Sequence, residues 1–101
     1  MVTWFVSRHP GAVEWSRRKG VQVDRWAPHL LIEEICSGDV VIGTLPVNMA
    51  AEVCARGAMY FNLSLNLTEN WRGRELSADA LAEVGACLER FVITKGINHE
   101  I

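Results

Sequence analysis

Two segments in which a strand-like apolar run leads towards a proline narrow the possible folds of this 101-residue chain, and we call them junctions. They occupy residues 4–12 and residues 40–50. In each, an apolar run typical of a β-strand stops at a hydroxyl residue, and a proline follows within three positions. Proline suits the first position of a helix, because the N–H there has no helical partner. Each junction therefore predicts a strand that leads into a helix N-terminus, where free N–H groups and a partial positive charge favour an anion such as phosphate.

The order of the predicted elements indicates an α/β fold. The predicted strands are Thr3–Val6, Val21–Trp26, Val40–Gly43 and Met59–Leu67, and the predicted helices are Gly11–Lys19, Pro46–Arg56 and a last helix from Ser77 to about Phe91. This order predicts a small Rossmann-like, mostly parallel sheet with helices on both faces, in which the two junctions converge at the carboxyl ends of neighbouring strands. We expect a single domain over residues 1–101, with a frayed tail from about residue 93.

Composition and charge exclude several classes of protein. The net charge of −2 argues against a strong grip on long nucleic acid, although it permits a small anionic ligand. No apolar stretch reaches the length of a membrane span, so we expect no membrane association. The three cysteines form no CxxC pair, which argues against zinc and disulfides, and their apolar surroundings predict reduced core residues in a cytoplasmic protein. Because nucleotide motifs and metal-ligand spacing are both absent, we expect no cofactor and no metal.

Segments along most of the first 90 residues resemble a known family. The resembling segments are residues 5–12, 14–15, 23–24, 29–30, 38–48, 50–58, 72–73 and 75–77. Together they resemble a family of small CRISPR-associated proteins found beside type III systems, the Csx family numbered sixteen. The resemblance implies a fold like that of CARF domains, which bind cyclic oligoadenylates as dimers. It also implies a ring nuclease that removes cyclic tetra-adenylate, the second messenger that type III CRISPR complexes make on sensing foreign RNA.

The first junction supplies the two candidate catalytic residues, Arg8 and His9. A cation at a helix N-terminus opposes the helix dipole, which favours a phosphate-binding role for Arg8 over that of an ordinary surface arginine. His9 is a candidate general acid that protonates the leaving 5′-oxygen, or a donor to phosphate. The alternative for His9 is a loop histidine that packs on Pro10.

The remaining candidates are expected to bind the ligand. They are Ser7, Gly11, Thr44, Leu45, Asn48 and Arg72. The hydroxyl groups of Ser7 and Thr44 either contact ligand or cap a helix. Asn48 either reads an adenine edge or a ribose hydroxyl, or is simply solvated, and Arg72 either closes over the ligand or lies in a solvated loop. His29, which follows Pro28 near the end of the second predicted strand, is predicted to be a packed loop histidine, and the alternative is that it lines the same face.

The resulting prediction is a Rossmann-like homodimer that binds cyclic tetra-adenylate over its two-fold axis and cleaves it. The ribose 2′-hydroxyl attacks its own 3′-phosphate without a metal, which gives linear products that end in a 2′,3′-cyclic phosphate. Two alternatives remain open at this point. One is a protein that sequesters the messenger without cutting it, and the other is a regulatory interaction subunit of a CRISPR effector.

Overall fold

Strands and helices alternate along most of the chain. The structure is a computed structural model that describes residues 1–66 and 75–97. The strands are β1 (Thr3–Val6), β2 (Arg25–Ala27), β3 (Val40–Gly43), β4 (Met59–Ser64) and β5 (Cys87–Phe91). The helices are α1 (Pro10–Arg18), α2 (Val47–Ala55) and α3 (Ala78–Glu83), and Ile32–Glu34 forms a 3₁₀ turn. No described helix is long and apolar enough to cross a membrane.

The five strands form one sheet in the order β2-β1-β3-β4-β5. The first four strands of this order are parallel, and β5 runs antiparallel to β4. Two apolar clusters cover the two faces, one with α2 and the other with α1 and α3. The predicted mostly parallel, Rossmann-like sheet with helices on both faces is therefore confirmed.

Alternation along β1 divides its side chains between these two clusters. Trp4 and Val6 point to the cluster with α2, whereas Phe5 points to the cluster with α1. All three are buried, because successive side chains of a strand point to opposite faces and both faces of this sheet are covered. This double burial explains why β1 and β3 are continuous apolar runs in the sequence.

The chain changes direction between β1 and β3. The connection through α1 leads from β1 outward to β2, and the connection through α2 leads from β3 outward to β4 on the other side. Right-handed crossovers in opposite directions place their helices on opposite faces of the sheet, which leaves a crevice where the order reverses. Val6 pairs with Gly43 at this point, so the two junctions of the sequence meet there as predicted.

The prediction of a last helix that runs to about Phe91 is wrong. The helix ends at Glu83, and the chain then forms β5. Gly85 has a φ of +72° and donates to the carbonyl of Ala82, while Ala86 donates to the carbonyl of Leu81. These are the two bonds of a Schellman motif, which ends a helix at a left-handed glycine. The helical spacing of apolar residues continued past this glycine and concealed a strand.

The second predicted strand, Val21–Trp26, is also wrong in its bounds. Only Arg25–Ala27 pair with β1. The N–H of Val21 completes the end of α1 by donating to the carbonyl of Ser16, so the chain is still leaving the helix at that point. Alternating residues thus predicted a strand that begins four residues too early.

Two smaller differences concern β4 and α2. The structure ends β4 at Ser64, short of the predicted Leu67, which lies outside the described residues. Apolar spacing along the predicted helix Pro46–Arg56 places Val47 on one face with Ala50, Ala51 and Cys54, but Val47 is 69% exposed and Val53 is fully buried. Val47 occupies the first turn of α2, whereas Val53 belongs to the buried cluster that contains Tyr60.

The amino end of the sheet is held by Asp39, which precedes β3. Its carboxylate accepts the N–H of Val2 and the N–H of Cys36, both at 3.0 Å. Asp39 is buried, and these hydrogen bonds lower the pKa of its carboxyl group. The carboxylate thus joins the entry to β1 and the turn before β3.

Residues 92–97 have no regular secondary structure. Most of their side chains are exposed, but Ile93 is half-buried and packs against the cluster with α2.

Candidate functional site

A cleft of about 620 Å³ opens at the carboxyl ends of β1, β2 and β3. Its described polar and charged lining is Ser7, Arg8, His9, His29, Thr44 and Glu75. The rest of the lining is largely apolar and includes Phe5, Val6, Leu45, Met49, Leu63 and Leu76. The volume is within the range of small-molecule pockets, about 300–1,000 Å³. A mostly apolar wall with a few convergent polar groups is typical of a ligand site at a topological switch point.

The turn from β1 to α1 places Ser7, Arg8 and His9 on one side of the cleft. The Ser7 hydroxyl accepts the N–H of His9 at 3.1 Å and therefore stabilises this turn. His9 occupies the N-cap position of α1 with extended backbone angles, and no described side chain caps the helix there. Of the two roles considered for Ser7, helix capping is excluded by this geometry.

The turn from β3 to α2 forms the facing side. The Thr44 hydroxyl donates to the carbonyl of Leu63 at 3.3 Å, which ties the turn to the end of β4. Pro46 occupies the N-cap position of α2, and in the described chain no side chain caps this helix either. Thr44 therefore does not act as a helix cap, although it lines the cleft.

The two helix N-termini beside the cleft share an electrostatic property. Neither α1 nor α2 has an acidic residue in its first turn. Because the first N–H groups of a helix carry a partial positive charge, both ends favour an anion, and Arg8 adds a full positive charge between them. This arrangement is suited to a phosphate group.

The hydroxyl group of Tyr60 stabilises the β3–α2 turn through hydrogen bonds. This buried hydroxyl accepts the N–H of Leu45 at 3.0 Å and lies 2.6 Å from Asn62 Oδ1 and 3.2 Å from the carbonyl oxygen of Gly43. Burial raises the pKa of the Tyr60 hydroxyl, partly offset by the hydrogen bond from Leu45. The hydroxyl thus keeps its proton at neutral pH and donates it to one of these two oxygens, which fixes the Gly43–Leu45 segment.

Gly43 itself permits the two junctions to approach. A Cβ at this position would lie 2.7 Å from the carbonyl oxygen of Val6, closer than a carbon atom can pack. Only glycine therefore allows β3 to end directly against β1 at the crevice.

Two of the predicted ligand-binding residues that the structure describes, Gly11 and Asn48, do not line the cleft. Gly11 faces the segment before α3, where a Cβ would overlap the carbonyl oxygen of Leu76, so its absence of a side chain serves helix packing. Asn48 is exposed in the first turn of α2. Arg72 lies outside the described residues. Leu45 lines the cleft, but its N–H is already bonded to the Tyr60 hydroxyl.

Two further ionisable residues line the cleft: Glu75 was missed by sequence reasoning, and His29 was considered for this face only as the alternative to packing. His29, predicted to be a packed loop histidine, is exposed and lines the cleft together with Arg8 and His9. Glu75, which precedes α3, lines the opposite end. The position of His29 immediately after the Pro28 strand break was the available signal, because the end of a parallel strand beside β1 opens on the same edge.

The described residues contain no group of three or more histidine, cysteine, aspartate or glutamate side chains arranged to hold a metal ion. The three cysteines are free thiols, but the prediction that they lie in the core is wrong, because Cys36 and Cys87 are exposed and Cys54 is half-buried.

Comparison with known proteins identifies one family. Residues 4–94 match the model of the family described as "Putative CRISPR-associated protein (Cas_VVA1548)". No curated protein and no solved structure matches the chain. The match spans both junctions and every strand of the sheet except the first residue of β1. The chain therefore belongs to this family of CRISPR-associated proteins.

Proposed function

We propose that this protein is a ring nuclease that binds and degrades cyclic tetra-adenylate, the second messenger of type III CRISPR systems. The observation that carries the proposal is the cleft between β1 and β3, where Arg8 and His9 lie beside two uncapped helix N-termini. The CRISPR-associated family supports the biological setting. The resemblance of the junction segments to the Csx family numbered sixteen supports the choice of ligand.

The reaction uses the ribose 2′-hydroxyl as its own nucleophile. The 2′-oxygen attacks the adjacent 3′-phosphorus, the bond from phosphorus to the 5′-oxygen breaks, and a 2′,3′-cyclic phosphate remains. Arg8 and the helix N-termini stabilise the negative charge that develops on the phosphate oxygens. His9 donates a proton to the leaving 5′-oxygen. The nucleophile is part of the substrate, so the reaction as proposed is independent of metal.

Symmetry favours a homodimer as the active form. A ring of four identical nucleotides is matched by a two-fold pair of subunits, each of which contributes one copy of the cleft. The cleft of one chain is partly open, which leaves space for a shared ligand. Light scattering at micromolar concentration is expected to give twice the chain mass, and a monomer that stays monomeric with ligand contradicts the dimer.

The test is incubation of the protein with cyclic tetra-adenylate in excess EDTA, followed by mass spectrometry of the products. We expect linear oligoadenylates that end in a 2′,3′-cyclic phosphate. Activity that disappears with EDTA and returns with magnesium or manganese contradicts the 2′-hydroxyl mechanism. Tight binding without products shows instead a protein that sequesters the messenger, and absence of both binding and cleavage refutes the proposal.

A further inference from the structure

Two histidines line the cleft, and only His9 has a role in the reaction described so far. His29 reaches the same cleft from β2, the strand next to β1. Val6 pairs with Ala27 where these strands end, and the N–H of Ser7 donates to the carbonyl of Ala27 at 2.9 Å. The two histidines therefore branch from strand ends that are bonded to each other.

The side chain of His29 has no structural task among the residues described. It is exposed, and within residues 1–66 and 75–97 neither its ring nor that of His9 takes part in a hydrogen bond or a salt bridge. Pro28 precedes it and restricts the backbone at the point where the chain leaves the strand. An unpaired imidazole in a cleft is available to a ligand.

Cleavage by the 2′-hydroxyl requires two proton transfers. One group must remove the 2′-proton as the 2′-oxygen bonds to phosphorus, and another must protonate the 5′-oxygen as its bond to phosphorus breaks. His9 supplies the second proton in the proposed function, and the first transfer has no partner yet. Imidazole suits both transfers, since it titrates roughly between pH 5 and 8.

We propose that His29 is the general base of this reaction, an assignment that rests on the proposed function. Its neutral imidazole accepts the 2′-proton while the imidazolium of His9 gives a proton to the 5′-oxygen. One phosphorus–oxygen bond forms and one breaks. His29 gains one proton and His9 loses one, so the two rings together carry the same number of protons as before. Exchange with water then returns each ring to its starting state before the next cut.

Among the residues that the structure describes, three other ionisable groups line the cleft with His29. The β1–α1 turn contributes Arg8 and His9, and the segment before α3 contributes Glu75. The described lining from the β3–α2 turn, residues 43–46, carries no ionisable side chain. Arg8 is a cation that does not act as a base near neutral pH, so Glu75 is the alternative base to be separated from His29 by experiment.

The experiment is single-turnover cleavage of cyclic tetra-adenylate from pH 5 to 9 by wild type and by His29→Gln, Glu75→Gln and Lys19→Gln. Lys19 is exposed at the end of α1, away from the cleft, and serves as the control. We expect His29→Gln to cut about 10²–10⁴-fold more slowly and to lose the decline of rate on the acid side. Glu75→Gln is expected to keep that decline, and Lys19→Gln to match wild type.

A chemical rescue provides a readout that a purely structural role would not give. His29→Gly is expected to regain part of the lost rate when free imidazole is added, and thermal melts report whether each variant is folded. The inference is overturned if His29→Gln keeps the wild-type rate or the acid-side decline, if Glu75→Gln is the variant that loses it, or if imidazole restores nothing. A wild-type protein that leaves cyclic tetra-adenylate intact refutes the proposed function instead, so the two failures are distinguishable.

Discussion

The two ends of the parallel strands are completed in opposite ways. At the amino end, the carboxylate of Asp39 is buried and accepts two backbone N–H groups. At the carboxyl end, Arg8, His9 and His29 line an open cleft, and no described residue pairs with their side chains. One end therefore uses its charged group to hold the chain together, whereas the other leaves its charged groups available to a ligand.

The helix N-termini show a second contrast. The N-terminus of α3 is complete, because the hydroxyl of Ser77 accepts the N–H of Ala80 at 3.1 Å and Asp79 lies in the first turn. No described side chain caps the N-termini of α1 and α2, which face the cleft, and neither helix has an acidic residue in its first turn. The N-terminus of α3 lies against that of α1 at the same end of the sheet, so a completed terminus and open termini stand side by side there. Variants at Asp39, at Ser77 and in the cleft should separate stability from ligand binding.

The largest expected effect is at the open end. His9→Ala is expected to slow single-turnover cleavage of cyclic tetra-adenylate about 10²–10⁴-fold with little loss of affinity, because it removes a proton donor used in the transition state. Arg8→Ala removes a cation that contacts phosphate before and during the reaction, so it should weaken binding as well. Equilibrium binding beside kinetics checks the difference. If both variants cut at the wild-type rate while folded, the site is misplaced.

The next effect is on stability, at the closed end. Asp39→Ala leaves the N–H groups of Val2 and Cys36 without their acceptor and is expected to lower the free energy of unfolding by about 2–3 kcal/mol. Urea unfolding measures the loss. Cleavage below the melting temperature is expected to stay near wild type, and a large loss of activity in the folded variant would break the separation of the two ends.

The same carboxylate predicts a loss of stability in acid. The pKa of Asp39 is lowered on folding, so it stabilises the native state at pH values above the pKa of an unfolded aspartate, about 3.9. This contribution is lost as the pH falls through the lower folded pKa. Urea unfolding from pH 6 to pH 2.5 should show a steeper acid loss in wild type than in Asp39→Asn, and equal slopes would contradict the assignment.

A smaller effect is expected beneath the cleft. Tyr60→Phe removes the acceptor of the Leu45 N–H and is expected to reduce stability by about 1–2 kcal/mol. This hydroxyl also fixes the turn that faces Arg8. Among the stability variants, Tyr60→Phe is therefore the one that should also slow cleavage several-fold. Thermal melts and single-turnover kinetics on one sample test both parts, and unchanged kinetics would show that the turn holds its shape without the hydroxyl.

The smallest effect is at the complete helix terminus. Ser77→Ala removes the cap of α3 and is expected to cost about 1 kcal/mol of stability without a change in cleavage. Ser77→Asp keeps an acceptor at the same place and serves as the matched control. Thermal melts of the two variants should differ, and equal melting temperatures would mean that the cap contributes nothing.

The strands that are buried on both faces were predictable in detail. Thr3–Val6 and Val40–Gly43 are continuous apolar runs ended by polar residues, and the structure begins and ends β1 and β3 at these residues. The edge strands β2 and β5 were not predictable in this way, because they are largely exposed and carry no continuous apolar run. In the case of β5, apolar residues at helical spacing outweighed the left-handed Gly85 that ends the helix.

The candidate site was predictable only where its residues are close in sequence. Arg8, His9 and Thr44 follow directly from the two junctions, and the structure brings them to one cleft. Tyr60 could not be linked to the site from local sequence, and for His29 the strand break at Pro28 raised a place at this edge only as the alternative to packing. Their positions depend on which strands are neighbours, and that order is a property of the whole sheet.

The most direct test of the contrast between the two ends is a titration with cyclic tetra-adenylate followed by backbone amide chemical shifts. The folded His9→Ala variant is used so that the ligand stays intact. We expect the largest shifts at residues 7–11 and 43–48, around the cleft, and small shifts at Val2, Cys36 and Asp39. Absence of shifts at saturating ligand, or shifts concentrated at the amino end of the sheet, would contradict the account.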